Sequence, residues 1–137
     1  MDVWNGWPLQ RIVYLFVGIA FILIWLQVLL FHWRGAFRHW PMWGPVTTGP
    51  ILAFFAVFFA FDRSEWVRVF LVIFFVLGLI EGVLGIYYHF RGVWSYIGGI
   101  RLRNLMVGPP VIMPMLFLAF TVLVLAVLIF WPVGGAL

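Results

Sequence analysis

IVYLFVGIAFILIWLQVLLF, residues 12–31, is a run of twenty residues without a formal charge. At about 1.5 Å of rise per residue, a helix of this length spans roughly 30 Å, which matches the hydrocarbon core of a bilayer. A soluble domain needs a polar surface, yet 66% of the 137 residues are apolar and only 9% are charged. The run therefore predicts a transmembrane helix, and the composition predicts an integral membrane protein.

Three further apolar runs follow, separated by short polar segments. They predict spans two to four at about Val46 to Phe61, Val69 to Tyr88, and about Val111 to Trp131. "DRSEW" at 62–66 forms a tight turn between spans two and three, and Pro132 with two glycines stops span four. The first run lacks a preceding cleavage site, so we expect its helix to remain in the mature protein. The expected fold is all-α, with four transmembrane helices in a single domain over residues 1–137.

The charge and cysteine content excludes several classes of function. There is no cysteine, which removes disulfides and thiolate metal sites. All eight cations are arginines, placed at the ends of apolar runs rather than in a basic block, so nucleic acid is not an expected partner. The chain also lacks a nucleotide-binding glycine loop, paired carboxylates, and a serine nucleophile with a base. We therefore expect a protein that is not an enzyme.

The orientation follows from the arginines between the spans. Loops 32–45 and 90–110 carry five arginines against three on the other side. The positive-inside rule then places both loops in the cytoplasm and both termini outside it, and we expect a bacterial inner membrane. Tryptophans near the span ends agree with these boundaries, since indole rings favour the headgroup region: Trp4, Trp7, Trp33, Trp40, Trp43, Trp66, Trp94 and Trp131.

The ends of spans one and three carry the same short pattern, FHWRGAF at 31–37 and YHFRGVW at 88–94. Other turn and cap residues match as well: Arg11 with Arg68, His32 with His89, Arg34 with Arg91, Gly35 with Gly92, Gly44-Pro45 with Gly108-Pro109, and Pro50 with Pro114. These matches predict a tandem repeat of a two-helix hairpin, with repeat one at about 11–61 and repeat two at about 68–131. A pseudo-twofold axis along the membrane normal would place both histidines at equal depth on one side.

The His-x-Arg-Gly pattern has three interpretations. Histidine and arginine suit the last turn of a helix, with glycine as a left-handed cap. Alternatively, His32 and His89 could bind haem b from opposite faces, with Arg34 and Arg91 near its propionates. Finally, the cluster could bind an anionic or polar group such as a lipid phosphate, a quinone headgroup or an acidic partner subunit. His39 has no counterpart in the second repeat and is expected at the membrane interface.

Glu81 lies within the third span, where a carboxylate is costly and usually functional. Beside it Gly78, Gly82 and Gly85 form a stripe that another helix can approach closely. Gln27, the strongly polar residue of span one, is a candidate partner for Glu81.

Prolines recur where spans two and four begin, at Pro45, Pro50, Pro110 and Pro114. A proline is favourable in the first helical turn, but these cannot all be first-turn residues. Either the segments between them are non-helical, or the helices begin early and contain a proline.

The leading functional hypothesis is a non-catalytic membrane subunit or anchor of a larger complex, most plausibly respiratory or electron-transfer, that contacts lipid, quinone or haem at the paired histidine ends. Expected partners are lipids and other membrane subunits. The pattern is similar to small four-helix haem-b and quinone-side anchors, although those carry histidines within their spans. The alternative is a small transporter or channel, as a homo-oligomer, that uses Glu81.

Overall fold

The computed structural model describes residues 3–131, and all regular secondary structure in that range is helical. The elements are α1 at Leu9–Arg34, a 3-10 turn at Trp40–Met42, α2 at Trp43–Phe59, α3 at Glu65–Gly92, a wide π-type turn at Val93–Gly98, α4 at Leu102–Val107 and α5 at Ile112–Phe130. Four of these segments are long and apolar enough to cross a membrane. The prediction of an all-helical membrane protein with four spans is confirmed, while the predicted stop at Pro132 lies outside the described residues.

The two proline-rich entries differ from each other. Helix α2 begins at Trp43, three residues before the predicted start, and contains Pro50 in its interior. Helix α5 begins only at Ile112, so Pro114 lies in its first turn, and residues 108–111 before it are not helical. Span two therefore begins early and contains a proline, whereas span four is preceded by a non-helical segment, so each predicted alternative occurs once.

The four long helices pack in the cyclic order α1, α2, α3, α5. Aromatic side chains fill the centre, where the ring of Phe21 lies 5.7 Å from that of Phe75 and 5.1 Å from that of Phe117, both edge to face. Edge-to-face contacts are a favoured geometry for phenyl rings. Phe21 and Phe75 also join α1 to α3 across the diagonal of the bundle.

Small residues allow the close approach of neighbouring helices. A Cβ on Gly82 would lie 2.9 Å from the Cβ of Leu118, so the glycine stripe of α3 packs against α5 inside the bundle. On α1, a Cβ at Gly18 would lie 2.9 Å from the backbone nitrogen of Val57 in α2. In a bilayer such close backbone packing is a main source of helix association, because lipid provides no hydrophobic driving force between helices.

One end of the bundle, which we call the turn end, is formed by residues 3–11 and 59–68. Trp4 folds back over α2, where its indole Nε1 donates to the carbonyl of Phe59 at 2.8 Å and its side chain is only 7% exposed. Trp4, one of the tryptophans expected near the headgroups, is thus buried against the bundle, where its N–H meets a carbonyl that the end of α2 leaves unpaired. Six of the other tryptophans expected at the headgroups are exposed: Trp7, Trp33, Trp40, Trp43, Trp66 and Trp94.

The turn from α2 to α3 is short, as predicted. The carboxylate of Asp62 is buried and accepts a hydrogen bond from the backbone N–H of Ser64 at 3.0 Å. Such a bond from the second following residue is a common way to stabilise a tight turn. Helix α3 then begins at Glu65, whose carboxylate pairs with Arg68 on the surface at 2.6 Å.

The opposite end, which we call the histidine end, is formed by residues 32–43 and 89–112. After α3 the chain widens into the π-type turn, and Gly98 and Gly99 take φ of +97° and +100°, which glycine adopts without strain. The amide of Asn104 donates to the carbonyl of Gly99 at 2.7 Å and connects α4 to this bend. Leu102 and Met106 of α4 are exposed.

Candidate functional site

The two predicted histidines lie at the same end of the bundle. His32, in the last turn of α1, contacts the backbone of Met42 at the start of α2. His89, in the last turn of α3, contacts the backbone of Pro110, two residues before α5 begins. The two imidazoles are also close enough to interact electrostatically. Each histidine thus bridges the end of one span and the start of the next.

Both imidazoles have a polar atom without a partner. The Nδ1 atoms of His32 and His89 are buried and make no hydrogen bond within residues 3–131. More than nine in ten buried polar groups in proteins are hydrogen-bonded, and an orphaned one destabilises the fold by about 1–3 kcal/mol. This pair of buried nitrogens is the feature of the histidine end that most needs an explanation.

Two prolines, Pro50 and Pro114, each leave one carbonyl near the start of a span without a donor, and a side chain of the preceding span contacts that carbonyl. Pro50 has no N–H, so the carbonyl of Val46 lacks its usual helical donor, and the indole Nε1 of Trp25 donates to it at 2.9 Å. By the same rule Pro114 leaves the carbonyl of Pro110 without a donor, and this is the backbone position that His89 contacts. A side chain from the preceding span meets the carbonyl that the proline leaves unpaired in both cases.

The glycines of the two patterns do not act as left-handed caps. Gly35 has φ of −78°, and Ala36 and Phe37 instead take positive φ of 55° and 48°, which is uncommon for residues with a Cβ. Gly92 stays helical, and a Cβ there would lie 3.0 Å from the Cγ of Pro109. The close approach of the returning chain, rather than the backbone angles, favours glycine at position 92.

The arginines of the pattern lie on the surface. Arg34 and Arg91 are both exposed, and neither makes a side-chain hydrogen bond or ion pair with the described part of the chain. Arg38 donates from Nε to the carbonyl of Gly35 at 3.1 Å, and His39 is exposed. Two cationic side chains therefore remain available beside the histidine pair.

Glu81 is partly buried between α3 and α2. Its carboxyl group shares a hydrogen bond with the hydroxyl of Thr48, and a Cβ on Gly44 would lie 3.2 Å from its Oε1 atom. Gln27, which the sequence suggests as a partner, is exposed on α1, so that suggestion is wrong. The charge-free helix α2 supplies the partner instead.

Sequence reasoning missed Thr48, Trp25 and the two backbone contacts of the histidines. A signal for Trp25 was present, because Pro50 within a helix implies a free carbonyl four residues earlier. The described residues contain no group of three or more His, Asp or Glu side chains placed to hold a metal ion. A ligand at this end would have two imidazoles and two guanidinium groups to contact.

These features define a four-helix membrane protein with an unsatisfied polar site at one end. In comparisons with known protein families, characterised proteins and solved structures, nothing matches this chain. Its function must therefore be inferred from the arrangement of its own residues.

Proposed function

We propose that this protein is a non-catalytic subunit or anchor of a larger membrane complex, most plausibly one of respiration or electron transfer. In this role the histidine end contacts a lipid, a quinone or haem, while the exposed apolar helix faces contact lipid and neighbouring subunits.

The buried, unpartnered Nδ1 atoms of His32 and His89 carry the proposal. A polar atom shielded from water gains about 1–3 kcal/mol when a partner supplies its missing hydrogen bond. Two such atoms at one end favour the binding of a group that offers polar atoms or a metal between the imidazoles. His32 and His89 would hold a haem iron if haem is the ligand, and either imidazole would donate to a quinone carbonyl.

The charge of the histidine end supports an anionic or polar ligand. Residues 82–131 contain no acidic side chain, while Arg91, Arg101 and Arg103 are exposed there. Arg34 adds a fourth exposed guanidinium from α1. Arginine presents several donors in a fixed plane and pairs well with phosphates and carboxylates, including haem propionates.

The test is mild extraction of the native protein followed by mass spectrometry of everything that co-purifies. We expect stoichiometric membrane subunits, lost or reduced in a His32→Leu/His89→Leu double variant. His39→Leu is the matched control, since His39 is exposed at the same end and should leave the complex intact. A chain that always purifies alone, with all three histidines intact, would contradict the anchor role.

Haem has its own spectroscopic test. If haem b is the ligand, the wild-type complex shows a Soret band that either single histidine variant removes and His39→Leu preserves. A colourless complex with stoichiometric subunits would exclude haem while leaving lipid or quinone as the ligand, which lipid and quinone extraction then separates.

A second candidate function is a small oligomeric transporter or channel. It is favoured by Glu81, a carboxyl group inside a membrane span that is bonded to Thr48 of the adjacent helix. Purified protein in liposomes would then form a homo-oligomer and carry proton or solute flux that Glu81→Leu abolishes. Absence of flux in a verified homo-oligomer would eliminate this candidate.

We also propose that the bundle is a tandem repeat of two hairpins. In support, α1 packs closely on α2 through Gly18, and α3 packs closely on α5 through Gly82. The chain has no cysteine, so paired spin labels can be introduced freely. Labels at 34 and 51, across the first hairpin, should give nearly the same distance as labels at 91 and 115, across the second, and clearly different distances would contradict the repeat.

A further inference from the structure

We propose that Glu81, Thr48 and the carbonyl of Gly44 form an intramembrane proton-binding site, in which Glu81 holds the proton in the resting protein. The proposal goes beyond both the anchor and the transporter functions and depends on neither. It concerns the two contacts of a single hydroxyl group.

The hydroxyl of Thr48 contacts two oxygen atoms. Its Oγ1 lies 3.0 Å from the carbonyl oxygen of Gly44, and it also bonds with Oε2 of Glu81. A threonine hydroxyl has only one hydrogen to donate, whereas its oxygen can accept as well. A carbonyl oxygen can only accept. Both contacts can be full hydrogen bonds only if Glu81 supplies the hydrogen of one of them.

The protonation state of Glu81 decides whether both contacts are hydrogen bonds. An ionised carboxylate is only an acceptor, so Thr48 would have to donate to Glu81 and could not donate to Gly44. A protonated Glu81 donates to Thr48, and Thr48 donates to Gly44. Only the protonated form gives a complete chain of donors and acceptors.

The helices around Glu81 provide no compensating charge, and in the segment before α2 the side chains of Arg38 and His39 are exposed, with Arg38 donating to the carbonyl of Gly35. The two helices packed on α3, α2 at Trp43–Phe59 and α5 at Ile112–Phe130, have no arginine, histidine or acidic residue along their whole length. On α3 itself, the next titratable imidazole is His89, eight residues or roughly 12 Å further along the helix. The charged side chains of α1 lie at its two ends, at Arg11, His32 and Arg34.

A carboxylate without a nearby cation is strongly disfavoured at membrane depth, because neither lipid nor apolar side chains solvate the charge. The missing counter-charge and the hydrogen-bond count point in the same direction, although they are independent observations. Glu81 is therefore a site that binds a proton, and this proton would have to leave before a cation could bind there.

The first test is chemical labelling in membranes at neutral pH with the hydrophobic reagent dicyclohexylcarbodiimide. A protonated carboxyl group adds to this reagent: its proton moves to a carbodiimide nitrogen as its oxygen bonds to the central carbon, and the adduct rearranges to an N-acylurea without losing any atom. We expect peptide mass mapping to find one adduct, at Glu81, that is absent in Glu81→Gln.

Glu65 is the internal control, because it is exposed and paired with Arg68 at 2.6 Å, so it remains a carboxylate and stays unlabelled. Labelling of Glu65 without labelling of Glu81 would overturn the proposal.

The second test is infrared spectroscopy, which does not depend on access of a reagent. Wild-type protein at neutral pH should show the carbonyl band of a protonated carboxylic acid that disappears in Glu81→Gln. Thr48→Val should shift this band, while Thr121→Val should not, since the hydroxyl of Thr121 bonds the carbonyl of Phe117 within α5. A wild-type spectrum without the band would overturn the proposal.

Discussion

The turn end and the histidine end differ in whether their polar side chains find hydrogen-bond partners within the bundle. At the turn end, Arg11 donates from Nε to the carbonyl of Ala60 at 2.8 Å and from a terminal nitrogen to the carbonyl of Gly6 at 2.7 Å. Its guanidinium also lies 3.7 Å above the ring of Trp7. At the histidine end, Arg34 is exposed and the imidazole of His32 keeps a buried nitrogen without a partner.

The histidine end leaves two buried imidazole nitrogens without a hydrogen-bond partner, whereas at the turn end, within the described residues, this holds only for the hydroxyl of Ser64. The last carbonyls of a helix have no donors within that helix, and Trp4 and Arg11 supply donors to α2 at the turn end. At the histidine end, the guanidinium groups of Arg34 and Arg91 are instead exposed and make no hydrogen bond with the described part of the chain. Functional contacts are therefore expected at the histidine end and purely structural ones at the turn end.

The largest expected effect comes from removing Trp4. Trp4→Ala deletes a buried indole and its bond to the Phe59 carbonyl, and should reduce the free energy of unfolding by about 3–5 kcal/mol. Trp33→Ala at the histidine end, where the ring is 71% exposed, should change it by less than about 0.5 kcal/mol. Denaturant titration in detergent micelles measures both. Equal losses would remove the distinction between the two ends.

The arginines provide a matched pair. Arg11→Ala should destabilise the bundle by about 1–3 kcal/mol, because it leaves the Ala60 carbonyl without its charged donor. Arg34→Ala should change the free energy of unfolding of the isolated protein by less than about 0.5 kcal/mol. Thermal unfolding in the same detergent compares them, and a more severe effect of the Arg34 variant would contradict the assignment of the two ends.

Substitution of Trp25 tests the polar contact between its indole N–H and the carbonyl of Val46, which joins α1 to α2. Trp25→Phe keeps the aromatic packing but leaves the Val46 carbonyl unpaired, so we expect a loss of about 1 kcal/mol. Trp43→Phe is the control, since Trp43 is 52% exposed at the start of α2. If the two variants unfold alike, the freed carbonyl has found another donor and the contact is dispensable.

The smallest change is expected at the histidines themselves. His32→Leu and His89→Leu each replace a buried, unpartnered nitrogen by apolar atoms but also remove a backbone contact, so the free energy of unfolding of the isolated protein should fall by no more than about 1 kcal/mol. Unfolding in detergent should show this while co-purification of partners is lost. A loss above about 2 kcal/mol in both variants would mean that the imidazoles serve the fold rather than binding.

The sequence predicted the parts of the fold that depend on length and polarity. Uncharged runs near twenty residues must span the bilayer, and "DRSEW" has too few residues to do anything but turn back. The start of α2 was less predictable, because Trp43 to Pro45 can lie in either a loop or a first helical turn. The short π-type turn at Val93–Gly98 had no sequence signal of its own.

Side-chain partners could not be predicted because the helices are apolar on every side. An amphipathic stripe would reveal which face of a helix points inward, but α3 and α5 have none. The sequence therefore did not determine how α3 is rotated about its axis, and so whether Glu81 faces Thr48 or Gln27. Trp4 shows the same difficulty, since the end of a span is equally compatible with a headgroup and with a helix terminus. These choices depend on packing between elements far apart in sequence.

The indole of Trp25 has a consequence for how α1 and α2 can move. Small residues such as Gly18, Gly49 and Ala53 line their contact and present a smooth surface along which two helices could slide by one turn. The carbonyl of Val46 is free because of Pro50, and neighbouring carbonyls in the helix interior are occupied by regular helical bonds. The indole N–H thus finds its unpaired acceptor in one axial register, so a tilt of the first hairpin that keeps this bond should cost less than a translation that breaks it.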